Sequence, residues 1–273
     1  MPSRVLLCPP TYFEVRDRKN PYMRLSVDLT KAQQQWDALC QAFRSAGLEL
    51  EFIKPVKDLE DMVFAANQVF VGSHEKLGNF VIPSEMRYPS RQKEVPYYVD
   101  WFQTHGFKIL VLDLQGEYLE GGGDLLWHPD RPRIWAGYGI RSSDAGVTRF
   151  AKAMCELGFG VTPLRLIDEY FYHLDTCLAP LNGDAALFYP GALSQAAQQA
   201  LTSGWERLYR VTRDEALRFA CHGVSVNGTY IMPSRIYSVE RALEKEGIRP
   251  VLVDTSEFEK SGGSAFCMKM FLD

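Results

Sequence analysis

Long hydrophobic runs are missing from this 273-residue chain. The first apolar stretch, Val5 to Cys8, stops at Pro9-Pro10, and nothing approaches the roughly 18 apolar residues of a membrane span. No secretory leader is recognisable at the N-terminus, which points to a cytoplasmic protein with reduced thiols. A charge excess is missing too. There are 30 Lys and Arg against 34 Asp and Glu, a net charge of −4, and this mildly acidic balance argues against nucleic acid as the main partner. No CxxC, HxH or HExxH spacing occurs, so no metal is expected. Gly121-Gly122-Gly123 lacks the spacing of a phosphate loop, so no nucleotide cofactor is expected either. Low-complexity linkers and charge runs are absent. The six cysteines, at 8, 40, 155, 177, 221 and 267, form an even set, but a chain of this length needs no disulfide staples. What remains is ordinary globular composition, 46% hydrophobic and 23% charged, for which length alone allows one domain or two.

An internal repeat decides between these. An apolar hairpin, a helix and a short strand recur in that order. The first unit has a hairpin over 67–84, a helix over 96–106 and a strand over 107–113. The second has a hairpin starting at Gly123 with its turn at His128–Pro132, a helix over 145–158 and a strand near 161–167. Ser143 or Asp144 offers its helix N-cap and Gly158 its stop. The third starts at His173, turns at Asn182-Gly183-Asp184 and continues through a helix from Gln195 and a strand over 206–211. The fourth starts near Cys221 and turns at Asn227-Gly228, a strong hairpin signal. The fifth unit is split between the chain ends. Residues 262–273 join the strand 3–10, a helix over 31–47 with a Thr30–Gln33 capping-box spacing and Gly47 at its stop, and the strand 48–56. Successive units start 53, 53, 48 and 46 residues apart, counted from Asn67 through Glu120, His173 and Cys221 to Cys267. Five α/β modules closing on themselves predict one domain over residues 1–273, with the module starts converging near the pseudo-axis.

The residues heading the modules are Asp61 and Asn67, Glu120, His173 with Asp175, and Cys267. A thiol beside an imidazole and carboxylates is the composition of a nucleophilic site, and grouped carboxylates attract a cation. Each residue also has a structural reading. Cys267 lies in an apolar strand, where a cysteine can serve as a small hydrophobe, and His173 can be a satisfied core histidine. Gly262 and Gly263 before the thiol, and the glycines after Glu120, favour close backbone approach to a ligand. Cys221 and His222, read as strand neighbours, are expected to point to opposite faces.

The motifs DxVFxxN at Asp61–Asn67, EGGGD at Glu120–Asp124, GYGIRSS at Gly137–Ser143, HLDT at His173–Thr176 and GGSAFC at Gly262–Cys267 resemble the guanidino-group-modifying superfamily. Its members include arginine deiminases, dimethylarginine dimethylaminohydrolases, amidinotransferases and arginine dihydrolases, and the resemblance runs over essentially the whole chain. It implies the pentein fold, a five-bladed α/β propeller. It also implies a small-molecule guanidino substrate, arginine or a methylated arginine, and a reaction without cofactor. By the same resemblance Cys267 attacks the guanidinium carbon and His173 protonates the departing amine and then activates water. Glu120 orients the guanidinium, Asp61 and Asp175 bind it, and Arg141, with Arg91 as a second candidate, pairs with a substrate carboxylate. Phe64 and Leu119 are expected to be packing residues.

Two asparagines bias the reading within the superfamily. Asn67 stands where deiminases and dimethylaminohydrolases usually carry Asp, and Asn20-Pro21 is similar to a segment of arginine dihydrolases. An arginine dihydrolase, giving ornithine, ammonia and carbon dioxide, is therefore the first expectation. A citrulline-forming hydrolase, an amidinotransferase and a catalytically silent binding pentein are the alternatives. Cys221-His222 departs from an expected Cys-Asn pair. A homo-oligomer is allowed, and residues 9–25 are the expected mobile cover of the site.

Overall fold

The computed structural model describes residues 2–23 and 26–273, so the last two residues of the expected cover lie outside the described residues. Strand β1 (Arg4–Leu7) is followed by helix α1 (Leu29–Ser45) and strand β2 (Glu49–Phe52). The next module is β3 (Val69–His74), β4 (Gly78–Pro83), α2 (Val95–Thr104) and β5 (Lys108–Ile109). Then come β6 (Leu125–Trp127), β7 (Arg133–Tyr138), α3 (Asp144–Glu156) and β8 (Gly160–Arg165). The third module is β9 (Leu178–Pro180), β10 (Ala185–Phe188), α4 (Gln195–Leu201) and β11 (Arg207–Arg210). The fourth is β12 (Val224–Val226), β13 (Thr229–Met232), α5 (Tyr237–Lys245) and β14 (Arg249–Leu252). The last strand, β15 (Met270–Phe271), returns to β1.

These strands form five three-stranded sheets with one plan. Two antiparallel strands meet, and the third lies parallel to the middle one, as in β3–β4–β5 and β12–β13–β14. A parallel neighbour requires a crossover, and the module helix supplies it. The sheet β15–β1–β2 is built from both chain ends, with Val5 opposite Phe271 and Leu6 opposite Met270. Five such α/β modules are the pentein fold.

Local chemistry explains the boundaries. Asn227 (φ 47°) and Gly228 (φ 73°) take the two left-handed positions that a two-residue hairpin demands. At the other predicted turn, the Asn182 side-chain oxygen accepts from the N–H groups of Asp184 and Ala185. Helix α3 is capped by Ser143, whose hydroxyl accepts from Gly146 N–H. Helix α1 turns Trp36, Leu39, Cys40 and Phe43 inward as its spacing predicts, but its cap is Asp28 rather than Thr30. The Asp28 carboxylate accepts from Lys31 N–H at 3.0 Å, which places Thr30 inside the first turn. Two strands are shorter than expected. Gly121–Asp124 is a helical turn, so the second hairpin starts at Leu125. Only Lys108–Ile109 of the 107–113 run is strand, Leu110 N–H making the last bond to Val81 O, and Val111 beyond it is 80% exposed. Among the described residues no helix is long and apolar enough to cross a membrane.

The module starts meet as expected. Asn67, His173–Asp175, His222 and Cys267 each lie shortly before the first strand of a sheet, and Glu120 leads into one through the turn Gly121–Asp124.

Candidate active site

A small pocket opens at this convergence. Seven of the nine expected site residues line it, namely Asn20, Asp61, Asn67, Arg91, Arg141, His173 and Cys267. Glu120 and Asp175 do not line it, but each bonds a residue that does.

Cys267 is buried, and its thiol donates to Asp175 Oδ2 at 3.3 Å. Its carbonyl accepts from Ala66 N–H at 3.0 Å, which ties the thiol segment to the DxVFxxN segment. Burial pushes the thiol up, with nearby Asp175 adding to the effect against Arg91 and Lys269. Burial likewise raises the Asp175 carboxyl to about 7, opposed by His173 and the Cys267 hydrogen bond. The resting site therefore holds a protonated thiol, and a cationic ligand is what would draw it toward thiolate.

Burial alone would raise the Glu120 carboxyl, but Arg141 and His173 outweigh it and hold the group well below the usual range. Glu120 accepts from Arg141 Nη1 at 3.0 Å, from His173 Nε2 at 2.7 Å and from Arg87 N–H at 2.9 Å. An ionised carboxylate only accepts, so Nε2 carries the ring proton. Nδ1, which has no partner among the described residues, is left as the nitrogen that can give or take one. The glycines of EGGGD allow this closeness. A Cβ on Gly123 would lie 2.3 Å from Asn67 Nδ2 and 3.0 Å from His173 Nδ1. Asp124 closes the motif by accepting from Ser142 and from Leu174 N–H, next to His173.

Asn67 has a defined orientation. Arg91 Nη1 donates to its side-chain oxygen at 3.0 Å. Arginine can only donate, so the NH₂ end is the free one, unpaired among the described residues in a residue that lines the cavity. Arg91 itself is spent on Glu94, Asn67 and the carbonyls of Asp61 and Phe64. Arg141 bonds Glu120 and the Lys19 carbonyl and lies 4.7 Å from the ring centres of both Tyr88 and Tyr172. It keeps donors in reserve, whereas Arg91 is a structural cation. Asn20 reaches the cavity as a turn residue, its amide donating to Ser261 O and its oxygen accepting from Tyr22 N–H.

The structure corrects two details. Phe64 packs edge-on against Phe13 and also lines the cavity, whereas Leu119 is buried packing. Cys221 and His222 lie in a turn rather than a strand. Cys221 joins the largest apolar core, while His222 Nε2 faces Asp175 Oδ2 at 3.8 Å. Burial, with His173 and Lys269 nearby, pushes the His222 imidazole down to about 3. The thiol, the Asp175 carboxylate and a His222 ring nitrogen lie within 4.8 Å of one another. These donor types could also grip a soft cation, but the contact present is the hydrogen bond between thiol and carboxylate.

Sequence reasoning missed His222, Tyr172 and Lys19. His222 heads the fourth module, so the repeat itself was the signal that could have found it. Tyr172 donates to Gly262 O at 2.6 Å. The Lys19 ammonium lies 3.0 Å from Asp61 and 3.3 Å from Glu60, and no motif marks it.

Comparison with known proteins gives the family. The family model described as N,N dimethylarginine dimethylhydrolase, eukaryotic, matches residues 10–272. The chain is 35% identical over 272 residues to the bifunctional arginine dihydrolase/ornithine cyclodeaminase ArgZ of Synechocystis, covering 98% of this chain but only 37% of that protein. It is 34% identical over 266 residues to the N(G),N(G)-dimethylarginine dimethylaminohydrolase of Mycobacterium tuberculosis, covering 97% and 84% of the two chains. The substrate-bound N-terminal domain of cyanobacterial ArgZ superposes with a TM-score of 0.91 at 34% identity, over 98% of this chain and 97% of that one. Motifs, geometry and matches agree: the chain belongs to the dimethylarginine dimethylaminohydrolase family, hydrolases that act on guanidino C–N bonds.

Proposed function

We propose that residues 1–273 form one catalytic domain that hydrolyses the guanidino group of arginine twice, as an arginine dihydrolase, without metal or cofactor. As substrate binds, the Cys267 proton passes to His173 Nδ1 and the thiolate attacks the guanidinium carbon. The C–N bond to a terminal nitrogen breaks as His173 protonates the departing ammonia. Water, deprotonated by His173, then attacks the thiol-bound amidino carbon, the C–S bond breaks and the thiolate returns, leaving a ureido group. A second round at the ureido carbon releases a second ammonia, and the resulting carbamic acid loses carbon dioxide to give ornithine. Glu120 holds the His173 tautomer and the orientation of the guanidinium. Asp61 and Asp175 supply negative charge to the cation, and Arg141 is the partner for a carboxylate.

The observation that carries this reading is the free NH₂ of Asn67. A guanidinium has only N–H donors to offer, whereas a ureido group has a carbonyl oxygen that accepts from that NH₂. A site able to bind both groups can act again on its own first product. The likeness to the arginine dihydrolase domain of ArgZ supports the same reading. The alternative, a dimethylaminohydrolase ending at citrulline, is favoured by the family model and the Mycobacterium tuberculosis relative. Incubation with L-arginine and, separately, with asymmetric dimethylarginine, followed by mass identification of products, separates the two. Turnover of arginine in preference to its dimethyl derivative is expected. Turnover of the dimethyl derivative alone would overturn the dihydrolase reading.

A further inference from the structure

His222 is buried at zero exposure, and neither ring nitrogen has a hydrogen-bond partner among the described residues. Buried polar groups in folded proteins are almost always bonded, and an orphan needs a reason. The surroundings offer the ring little else. Phe219 and Phe266 present ring edges to it, with centres 5.7 and 6.3 Å away. The polar atoms within reach are the Asp175 carboxylate, 3.8 Å from Nε2, and the Cys267 sulfur, which lies with both inside a 4.8 Å triangle. The backbone fixes this placement, because His222 O accepts from the N–H of Phe266, the residue before the thiol, at 3.1 Å.

The triangle poses an electrostatic problem that the reaction must solve. In the resting state one proton between Cys267 and Asp175 keeps the pair from being doubly negative. Once the thiol ionises, a thiolate and a carboxylate face each other in a buried place, and like charges that close disfavour ionisation. A neutral imidazole carries one N–H donor, Nε2 is the nitrogen facing Asp175 at 3.8 Å, and a ring nitrogen lies within 4.8 Å of both the carboxylate and the sulfur. We propose that His222 is a positioning residue for the thiol: its Nε2–H closes onto the Asp175–Cys267 pair when the thiolate forms and lets both groups carry charge together.

This rests on Cys267 being the nucleophile, and it assigns to the fourth module the contribution that the other four make through Asn67, Glu120, His173 and Cys267. The other charged groups around the triangle are His173 and Lys269 on the side of His222, Arg91 and Lys269 on the side of Cys267, and His173, Lys269 and Asp124 on the side of Asp175. The Asp124 carboxyl further disfavours a negative charge at Asp175, and the hydrogen bond of the sulfur is made to none of these groups. Burial lowers Lys269 to about 8, against Asp175 and Cys267, and its ammonium makes no hydrogen bond to the sulfur.

The test is the pH dependence of alkylation of the full-length protein by iodoacetamide, read at the Cys267 peptide by mass spectrometry so that exposed Cys155 does not contribute. No substrate is needed, so the outcome is independent of which product the enzyme makes. His222→Phe is expected to move the Cys267 midpoint up by about one pH unit and to slow labelling at pH 7 roughly tenfold. His222→Gln keeps an N–H donor and is expected to recover most of that loss. An unchanged midpoint in His222→Phe, or slower labelling in His222→Gln than in His222→Phe, would show that the ring only fills space. Should the Phe variant not fold, nitrogen NMR of the wild-type imidazoles carries the test. The Nε2 resonance of His222 must be protonated and neutral at pH 7 and must follow the ionisation of Cys267; a resonance indifferent to that ionisation overturns the proposal.

Discussion

At the scale of single residues, the chemistry depends on the protonation of three groups. Glu120 is ionised beside Arg141, His173 carries its proton on Nε2, and Cys267 keeps its own on the bond to Asp175. Glu120→Gln removes the charge that fixes the His173 tautomer, and kcat/KM is expected to fall by about a hundredfold or more; steady-state kinetics at pH 7 check this. Cys267→Ala is expected to abolish turnover of any guanidine, and retained turnover would contradict the nucleophile assignment. The two buried carboxylates act oppositely on stability. Glu120 is held low, so its pairing contributes stability that is present above the unfolded value, about pH 4.3, and is lost as pH falls below it. Asp175 is raised to about 7, so its contribution is full in acid and is lost as pH rises through 7. Asp175→Asn is therefore expected to raise Tm at pH 8 relative to wild type, with the difference shrinking toward pH 4. Calorimetry at the two pH values checks this, and an equal difference at both would contradict it. Cys267, His173 and Glu120 were legible because their motifs combine chemistry-bearing residues with glycine. His222 has no such motif; only its place at the head of the fourth module marks it, and the folded modules bring it to the thiol.

At the scale of elements, the decisive segment is 9–23, which has neither helix nor strand yet covers the cavity. Phe13 stacks on Phe258, the Lys19 carbonyl accepts from Arg141, the Lys19 ammonium pairs with Asp61 and Glu60, and Asn20 bonds Ser261. Losing one partner of a buried ion pair costs about 3–5 kcal/mol. Lys19→Met is therefore expected to loosen the cover. Tryptic cleavage at Arg16 or Arg18 should quicken in the variant, and substrate should slow it in the wild type. Equal cleavage in all three samples would contradict a covering role. The sequence marked this segment by its polarity and prolines alone, since anchors such as Phe258 and Ser261 lie near the other end of the chain. Turns were easier to read than helix starts. Asn227-Gly228 has one conformational meaning, whereas Asp28 and Thr30 are both good caps two residues apart, and the N–H each can reach decides between them.

At the scale of the molecule, the fold holds the site by joining its ends. Cys267 lies three residues before β15, which pairs with β1, and Asp273 accepts from the N–H groups of Ser3 and Arg4. Removing residues 270–273 takes away the buried Met270 and Leu272, each worth about 1.5–3 kcal/mol, together with the anchor of the nucleophile. Tm and turnover are expected to fall together, and a truncated chain with wild-type Tm would contradict closure through the termini. The repeat spacing made this closure readable, because the split fifth module completes the series. The central claim is that Asn67, oriented by Arg91, lets one site act on both a guanidinium and a ureido group. A quenched time course from L-arginine, following arginine, citrulline, ornithine and ammonia in the wild type and in Asn67→Asp, tests it most directly. Ornithine and two ammonia per arginine are expected from the wild type, and a shift toward citrulline from the variant. Citrulline as the wild-type end product, or the same product ratio from both proteins, would contradict it.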